Sequence, residues 1–352
     1  MPDDGSVIDR ISRWQRATTA SAQLPYPALL RKLALVGMFA VVLPTASLIY
    51  APTSANADEA TGNSGSTIPR PTGPVRASPQ TFRYTSPGPY TADIPAGATS
   101  VKITAAGAQG GGGYGVPGGR GARIIGTFKL ASYPGVTQLE VVVGDRGGDG
   151  KEASGTSSGG GGGGGSFVWT GSAFPPSVAS STLLIAAGGG GGGDDVDAGN
   201  GGRTGQDGGG FIPGTDGSGG GGGGKTGGGG GGSGWLGSGN CGNCDRSGDC
   251  TIDCGPFLGA VGGGTGGAFS GGAGAGGSNG GYGGGGGGGG GVIGTSGGGG
   301  GGGGYSGGGG DPSGGSSGSG GGGSYNAAPK ATQANRAAVR SGPGQVTLVF
   351  TF

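Results

Sequence analysis

Six uninterrupted glycine runs constrain this sequence more than any other feature. They occupy Gly159–Gly165, Gly188–Gly193, Gly219–Gly224, Gly227–Gly232, Gly283–Gly291 and Gly297–Gly304. One interpretation is disorder, because glycine loses the most backbone entropy on ordering and has no side chain to bury. The other is a bundle of polyglycine-II helices, which have three residues per turn and no internal hydrogen bonds, so their backbone groups must bond to neighbouring helices. The similar run lengths favour the bundle, which we predict over about 107–310, with a loose tail at 306–330.

Composition excludes several classes of protein. Glycine accounts for 108 of 352 residues, but it occurs in blocks rather than at every third position, so the chain is not collagen-like. The 20 basic and 19 acidic residues nearly balance and form no basic tract, so we expect no nucleic-acid partner. The sequence contains no histidine, which removes histidine-dependent catalysis and metal ligation. We therefore predict a protein that is not an enzyme and uses no cofactor.

The first 57 residues have the pattern of an export signal with a long leader. Basic residues precede the apolar run Leu33–Tyr50, and Ala55-Asn56-Ala57 supplies the small residues that signal peptidase requires, which predicts cleavage after Ala57. The alternative is an uncleaved signal helix that anchors the chain, which would be its only membrane contact. Both alternatives predict a secreted or cell-surface protein. The Pro/Ser/Gly-rich segment 58–80 is predicted to be a flexible linker.

Alternation of apolar and polar residues predicts β-strands from Thr81 onwards. The predicted strand segments are 81–85, 90–95, 100–110, 121–130, 137–144, 166–170, 182–187 and 346–352. Because an isolated C-terminal strand has no ladder partner, we expect it to close the sheet that begins at Thr81. The predicted fold is all-β: an antiparallel β-sandwich built from 81–187 and 345–352, with the glycine bundle inserted, in one domain over 81–352.

Two segments resemble a known family. GGGGGGSFVWT (160–170) has a glycine run before a strand, and STLLIAAGGGGGG (181–193) has a strand before a glycine run. They resemble the glycine-rich ectodomain region of the anaplastic lymphoma kinase and leukocyte tyrosine kinase receptors, as do the upstream GARIIGTFKL and LEVVVGDRGG. The resemblance covers about 81–305 and implies a tumour-necrosis-factor-like β-sandwich with a polyglycine-II bundle that binds a small protein ligand. The sequence is also similar, as a second resemblance, to phage tail adhesins that carry polyglycine bundles.

The departures from the receptor family limit what this resemblance implies. The sequence has no lysine-bearing V-A-I-K strand, no H-R-D loop and no D-F-G motif, so any kinase label would rest on similarity alone. What carries over is a rigid extracellular binding scaffold.

All the cysteines fall within one short segment, CGNCDRSGDCTIDC, as Cys241, Cys244, Cys250 and Cys254. In an exported chain, this even and dense set predicts two disulfides of undetermined pairing. A four-thiolate zinc site is the alternative, although its spacing is unusual. We predict a recognition surface from the apolar residues flanking this segment, or else a stapled cap on the bundle. The flanking residues are Trp235, Leu236, Phe257 and Leu258.

Two further patterns concern ligands. Asp194, Asp195 and Asp197 are dense enough in oxygen ligands to be a weak calcium candidate. Their spacing matches no EF-hand loop, and a polar turn after a glycine run is expected in any case. GGGGGGKT (219–226) satisfies the phosphate-loop pattern through Lys225 and Thr226. A phosphate loop needs a strand before it and a helix after it, and this stretch is followed by six more glycines. We predict that it is a false match and that the chain binds no nucleotide.

These observations predict an exported, non-catalytic scaffold for surface binding or adhesion, whose partner is an unidentified extracellular protein or glycan. A structural cell-envelope or matrix protein without a specific ligand is one alternative. A receptor-like ligand-binding ectodomain is the other.

Overall fold

The computed structural model of the chain describes residues 78–153, 156–171, 181–223, 227–240, 278–290, 296–312 and 318–352. Regular structure in these ranges is almost entirely strand. The helical turns described are two three-residue 3₁₀ segments, Leu130–Ser132 and Lys330–Thr332. The predicted all-β class is confirmed for this part of the chain. The predicted signal segment, with Ala57, and the linker up to residue 77 lie outside the described residues.

Twelve strands are described. In chain order they are β1 (Gln80–Tyr84), β2 (Gly88–Asp93), β3 (Ser100–Ala106), β4 (Gly121–Lys129), β5 (Gln138–Val143), β6 (Glu152–Ala153), β7 (Thr156–Ser157), β8 (Ser166–Thr170), β9 (Thr182–Ala187), β10 (Tyr325–Asn326), β11 (Arg336–Arg340) and β12 (Gln345–Thr351).

Ten of these strands form two antiparallel five-stranded sheets. The outer sheet has the order β1-β12-β3-β4-β11, and the inner sheet has the order β10-β9-β8-β5-β2. The C-terminal strand β12 lies inside the outer sheet, where Leu348 is opposite Phe82 of β1 and Ile103 of β3. The remaining strands, β6 and β7, pair only with each other.

One hydrophobic cluster contains residues of both sheets. Val346, Leu348 and Phe350 of β12 are fully buried, and they alternate with more exposed residues, as expected for a strand with one covered face. The cluster includes, from the outer sheet, Val101, Ile103, Ala105, Ile124 and Phe128, and from the inner sheet Leu139, Val141, Val143, Val168, Leu184 and Ile185.

The central strands of the inner sheet, β5, β8 and β9, are buried on both faces. Every residue of β8 is buried, so it shows no alternation. Val168 belongs to the cluster shared with the outer sheet, whereas Phe167 and Trp169 point to the opposite face. There, the ring of Trp235 lies 5.9 Å from that of Phe167 and 5.8 Å from that of Trp169. Aromatic residues of the glycine-rich region thus cover the second face of this sheet.

The glycine segments continue directly from strand ends, and their backbone groups bond to other segments. In Gly159–Gly165, which leads into β8, successive N–H groups donate to three neighbouring segments in turn, so that every third N–H donates to the same segment. The donor–acceptor pairs are Gly159–Gly289, Gly160–Gly193, Gly161–Gly148, Gly162–Gly286, Gly163–Gly190, Gly164–Asp145 and Gly165–Gly283, at 2.7–3.0 Å.

The carbonyls of the same segment accept from three further segments. The acceptor–donor pairs are Gly160–Gly300, Gly161–Gly111, Gly162–Gly281, Gly163–Gly303 and Gly164–Ala108. This single segment is therefore bonded to six neighbours. Each neighbour recurs every third residue, the one containing Gly281 through the hydroxyl of Ser278, which donates to Gly159 O. The segment Gly188–Gly193, which follows β9, shows the same three-residue recurrence, because Gly189 donates to Gly303 and Gly192 donates to Gly300 of one neighbouring segment.

The segments approach too closely for side chains. A β-carbon placed on Gly162 would lie closer than 3.0 Å to the carbonyl oxygen of Gly301, and one on Gly160 would meet that of Gly111 equally closely. These obstacles are backbone atoms, which have no rotamer with which to move aside. At these positions glycine is therefore required by the spacing between segments.

The segment predicted as a loose tail is hydrogen-bonded where it is described. Gly307–Asp311 and Ser319–Gly323 bond to other glycine segments, for example Gly308 N–H to Gly302 O and Gly322 N–H to Gly189 O, both at 2.8 Å. Beyond them, β10 pairs with β9. The structure differs from the prediction because these residues obtain backbone partners in other glycine segments, both near in the sequence, as in Gly308 with Gly302, and far from it, as in Gly322 with Gly189.

Candidate functional site

The end of the glycine segments farthest from the sheets is formed by turns. Residues 107–113 continue β3 and residues 188–193 continue β9, and the two segments run parallel, since Gly190 and Gly193 donate to Ala108 and Gly111. The turns that follow, 113–117 and 194–198, are joined by a bond from Gly199 N–H to Pro117 O at 3.2 Å. We call residues 112–117, 148–149 and 194–199 the distal surface.

Two large apolar side chains are exposed on the distal surface. Tyr114 is 56% exposed and Val196 is 70% exposed, the latter being the most exposed large hydrophobic residue among those described. Val196 is the one bulky residue in its turn, DDVDA (194–198), and Tyr114 shares its turn, GYGVP (113–117), with the less exposed Val116. The sequence analysis did not select them, although a lone aromatic or branched residue inside such a turn is the signal that would have found them.

The third part of the distal surface is fastened by a carboxylate. Asp149 accepts the N–H of Gly112 at 2.7 Å and an N–H of the Arg146 guanidinium at 2.8 Å. The hydrogen bond from Arg146 is the main cause that lowers the pKa of Asp149, which is also affected by the Gly112 N–H. This segment is therefore tied to the Tyr114 turn through an ionised side chain.

The three aspartates considered for calcium have different surroundings. Asp194 is buried, and its Oδ1 accepts the N–H groups of Val196 at 2.7 Å and Asp197 at 2.5 Å, which closes the turn. Asp195 instead accepts the hydroxyl of Ser296. Within the described ranges, no group of three or more His, Cys, Asp or Glu side chains is arranged to hold a metal ion.

A buried carboxyl, Asp311, lies near this turn. It is 1% exposed, and neither of its ionised oxygens has a hydrogen-bond partner in the structure. Burial is the main cause that raises the pKa of Asp311 to about 8, followed by a hydrogen bond that only the protonated carboxyl makes to Asp194, and by the charges of Asp194 and Asp197. The protonated carboxyl can donate to Asp194, whereas the ionised one cannot. Asp311 thus holds a proton near neutral pH.

We expect Asp311→Asn to flatten the pH dependence of stability. The pKa of Asp311 is raised above its usual value of 3.8, so the native state keeps a proton that the unfolded chain has lost. The contribution of this proton to the free energy of unfolding is complete below pH 3.8, where both states are protonated. It is lost as the pH rises through about 8, because the unfolded chain is ionised over this range and the folded chain has to lose the proton as well. Between these values, the wild-type free energy of unfolding should fall by at most about 1.4 kcal/mol per pH unit.

Urea unfolding at a series of pH values measures this slope. Asn keeps the volume of Asp and can donate to Asp194 without ionising. The matched control is Asp207→Asn, which changes an exposed carboxyl and should leave the wild-type slope intact. A slope that is the same in Asp311→Asn and in the wild type would show that Asp311 does not hold the proton.

The predicted recognition residues divide between interior and surface. Trp235 is 7% exposed and packs against Phe167 and Trp169, whereas Leu236 is 53% exposed. Of this pair, only Leu236 presents its side chain to solvent. The other predicted site residues lie outside the described residues: Cys241, Cys244, Cys250, Cys254, Phe257, Leu258, Lys225 and Thr226.

Part of the phosphate-loop pattern is described, and its backbone is already bonded. Gly220 N–H donates to Gly232 O, Gly221 N–H to Ile212 O and Gly223 N–H to Gly229 O, at 2.7–2.9 Å. A phosphate loop needs amides that are free to point at the phosphates. These three amides are directed to protein carbonyls instead.

The fold and this surface define a class: an all-β, glycine-rich domain whose turns present isolated apolar side chains. Comparison of the sequence with protein-family models and with curated proteins finds no match. No helix in the described part of the chain has the length and apolar character needed to cross a membrane.

Proposed function

We propose that the chain is an exported, non-catalytic scaffold in which a rigid glycine bundle presents the distal surface to an extracellular protein or glycan. The observation that carries the proposal is the exposure of Tyr114 and Val196 on adjoining turns at the ends of fully cross-bonded segments. Isolated bulky side chains on a firm backbone bind with little loss of conformational entropy.

In this proposal the glycine segments are polyglycine-II helices. The three-residue recurrence of each neighbour and the lack of bonds within Gly159–Gly165 are the features that support it, because this helix has three residues per turn and no internal hydrogen bonds. The six neighbours of that segment are those of hexagonal packing. The two sheets, with their shared hydrophobic cluster, would form the tumour-necrosis-factor-like sandwich that the family resemblance implies.

Export and the absence of catalysis are further parts of the proposal. Export rests on the signal pattern of residues 1–57, and the membrane would be contacted only if this segment remains uncleaved. The lack of histidine supports a non-catalytic role. The disulfides proposed for the cysteine segment are consistent with an oxidising extracellular environment.

The distal surface is tested by replacing its two exposed side chains together. The double variant Tyr114→Ala, Val196→Ser should bind its partner at least roughly tenfold more weakly, because central aromatic anchors dominate interfaces. Its stability should stay near that of the wild type, since both side chains are exposed. Binding would be measured on an array of extracellular glycans and on a library of displayed ectodomain proteins.

Phe211→Ala is the matched control, because Phe211 is 57% exposed, close to the value for Tyr114, and lies outside the distal surface. It should leave binding unchanged. If the wild type binds no member of either collection, or if the double variant binds as the wild type does, the recognition role of the distal surface is wrong. The structural cell-envelope interpretation would then be preferred.

A further inference from the structure

The outer sheet carries charge of a single sign. Its five strands contain no Asp or Glu, whereas the inner sheet contains Asp93 and Glu140 and no basic residue. The basic residues of the outer strands are Arg83, Lys102, Arg123, Lys129, Arg336 and Arg340. Because the whole chain has a net charge of only +1, this positive charge is a local feature.

Three of these arginines line one cleft of about 300 Å³. Its other lining residues are Thr104, Ala106, Val339 and Gln345. Strand register explains the grouping: Arg336 of β11 is opposite Arg123 of β4, and Arg123 is opposite Ala106 of β3. Directly paired residues share a face, so these side chains stand on the side of the sheet that faces away from the shared core.

The local backbone leaves room for the cleft. Arg340 is opposite Gly121, and Ala106 is the only side chain between Arg123 and Gln345 in the row. The β11 strand is irregular between Arg336 and Arg340, and Ala338 within it has a φ of +51°, which is unusual for a residue with a β-carbon. This irregularity places two arginines of one strand at the rim of the same cleft.

The guanidinium groups of the cleft include an N–H donor that no acceptor in the protein uses. The Nε of Arg123 is buried without a hydrogen-bond partner, and the Nε of Arg340 donates to Pro343 O at 2.7 Å. The ion pair found among the described residues is the one between Arg146 and Asp149. In this part of the chain, therefore, no carboxylate neutralises the three arginines of the cleft. A buried N–H group that lacks an acceptor is costly, and an oxyanion satisfies it at once.

We infer that this cleft binds a small ligand through a phosphate or sulfate group, held by Arg123, Arg336 and Arg340. Planar guanidinium forks match the geometry of tetrahedral oxyanions, which they bind through two parallel hydrogen bonds. The volume exceeds that of a single oxyanion, so part of the group that bears it also fits. This inference is independent of the function proposed for the distal surface.

The experiment is a titration of the full chain, labelled with ¹⁵N in arginine, followed through the side-chain Nε–H signals by NMR. The probes are inorganic phosphate, inorganic sulfate, glucose 6-phosphate and glucose 6-sulfate, with glucose as the uncharged control. The Nε–H signal of Arg123 is identified by its disappearance in Arg123→Gln. We expect this signal to shift when phosphate or sulfate is added, and we expect glucose to have no effect on it. Tighter binding of one sugar ester than of its free anion would identify which source the cleft prefers.

Arg123→Gln should weaken oxyanion binding by roughly tenfold, since it removes charge-assisted hydrogen bonds. Arg123→Lys keeps the charge without the fork and should also bind more weakly, which provides a second test if the Gln variant unfolds. Lys129→Gln, at an exposed position of the same sheet outside the cleft, should change affinity by less than about twofold. No shift of the Arg123 signal at millimolar oxyanion, or equal weakening by the Lys129 variant, would overturn the inference.

Discussion

Gly162→Ala is expected to lower the free energy of unfolding by about 3 kcal/mol, the upper part of the range for overpacking. Gly162 lies within the segment that has six bonded neighbours, and its β-carbon would lie closer than 3.0 Å to the carbonyl oxygen of Gly301. Relieving this contact requires two backbones to separate, which lengthens the hydrogen bonds on both sides. Urea unfolding gives the loss of stability, and amide exchange shows whether the neighbouring segments open.

Gly230→Ala is the matched control within another glycine run. There the nearest atom to a new β-carbon is the Gly287 nitrogen at 3.5 Å, an ordinary van der Waals distance. Its neighbour Gly229 resembles Gly162, because a β-carbon would lie closer than 3.0 Å to Gly299 O. Alanine should therefore be tolerated at 230 and not at 229 or 162. Equal effects at all three positions would mean that composition, rather than the packing of particular segments, makes glycine necessary.

Trp235→Ala is expected to destabilise the fold by about 3–5 kcal/mol, as loss of a buried tryptophan does. The indole is 7% exposed and packs against Phe167 and Trp169 on the second face of the inner sheet. Its removal would leave a cavity between that sheet and the glycine-rich region. Chemical unfolding measures the cost, and the near-ultraviolet circular dichroism should lose the signal of the aromatic cluster.

The adjacent residue provides the control. Leu236 is 53% exposed, so Leu236→Ala should change stability by less than about 0.5 kcal/mol. The two variants also separate the roles that the sequence suggested for both residues. If Trp235→Ala kept wild-type stability but lost binding, Trp235 would be a recognition residue and its assignment to the interior would be wrong.

The sequence was most informative where one face of a strand is buried. Val346, Leu348 and Phe350 alternate with polar or smaller residues, and this alternation predicts both the strand and the face that turns inward. It follows from the period of two of an extended chain, which is a local property. The all-β class could therefore be predicted without knowledge of the partners of each strand.

Other elements could not be predicted from local pattern. The segment RAAVR of β11 has no clear alternation, and β10 contains only Tyr325 and Asn326. Both form because β4 and β9 offer unpaired edges. The strand β10 lies within the stretch 306–330 that was expected to be loose, and β11 follows that stretch. The sequence predicts Trp235 as a recognition residue because it flanks the cysteine segment, yet distant parts of the chain cover it.

The sequence by itself determined that this domain is all-β and that its glycine runs must either remain disordered or bond to one another, because glycine has no side chain with which to form a core. Tertiary structure alone decided which carbonyl each amide meets, which turns become the distal surface and which arginines share a cleft. Those choices depend on contacts such as Gly162 with Gly286 and Arg336 with Arg123, between residues more than a hundred positions apart. A run of identical residues carries no register of its own, so the strands and turns at its ends have to set it.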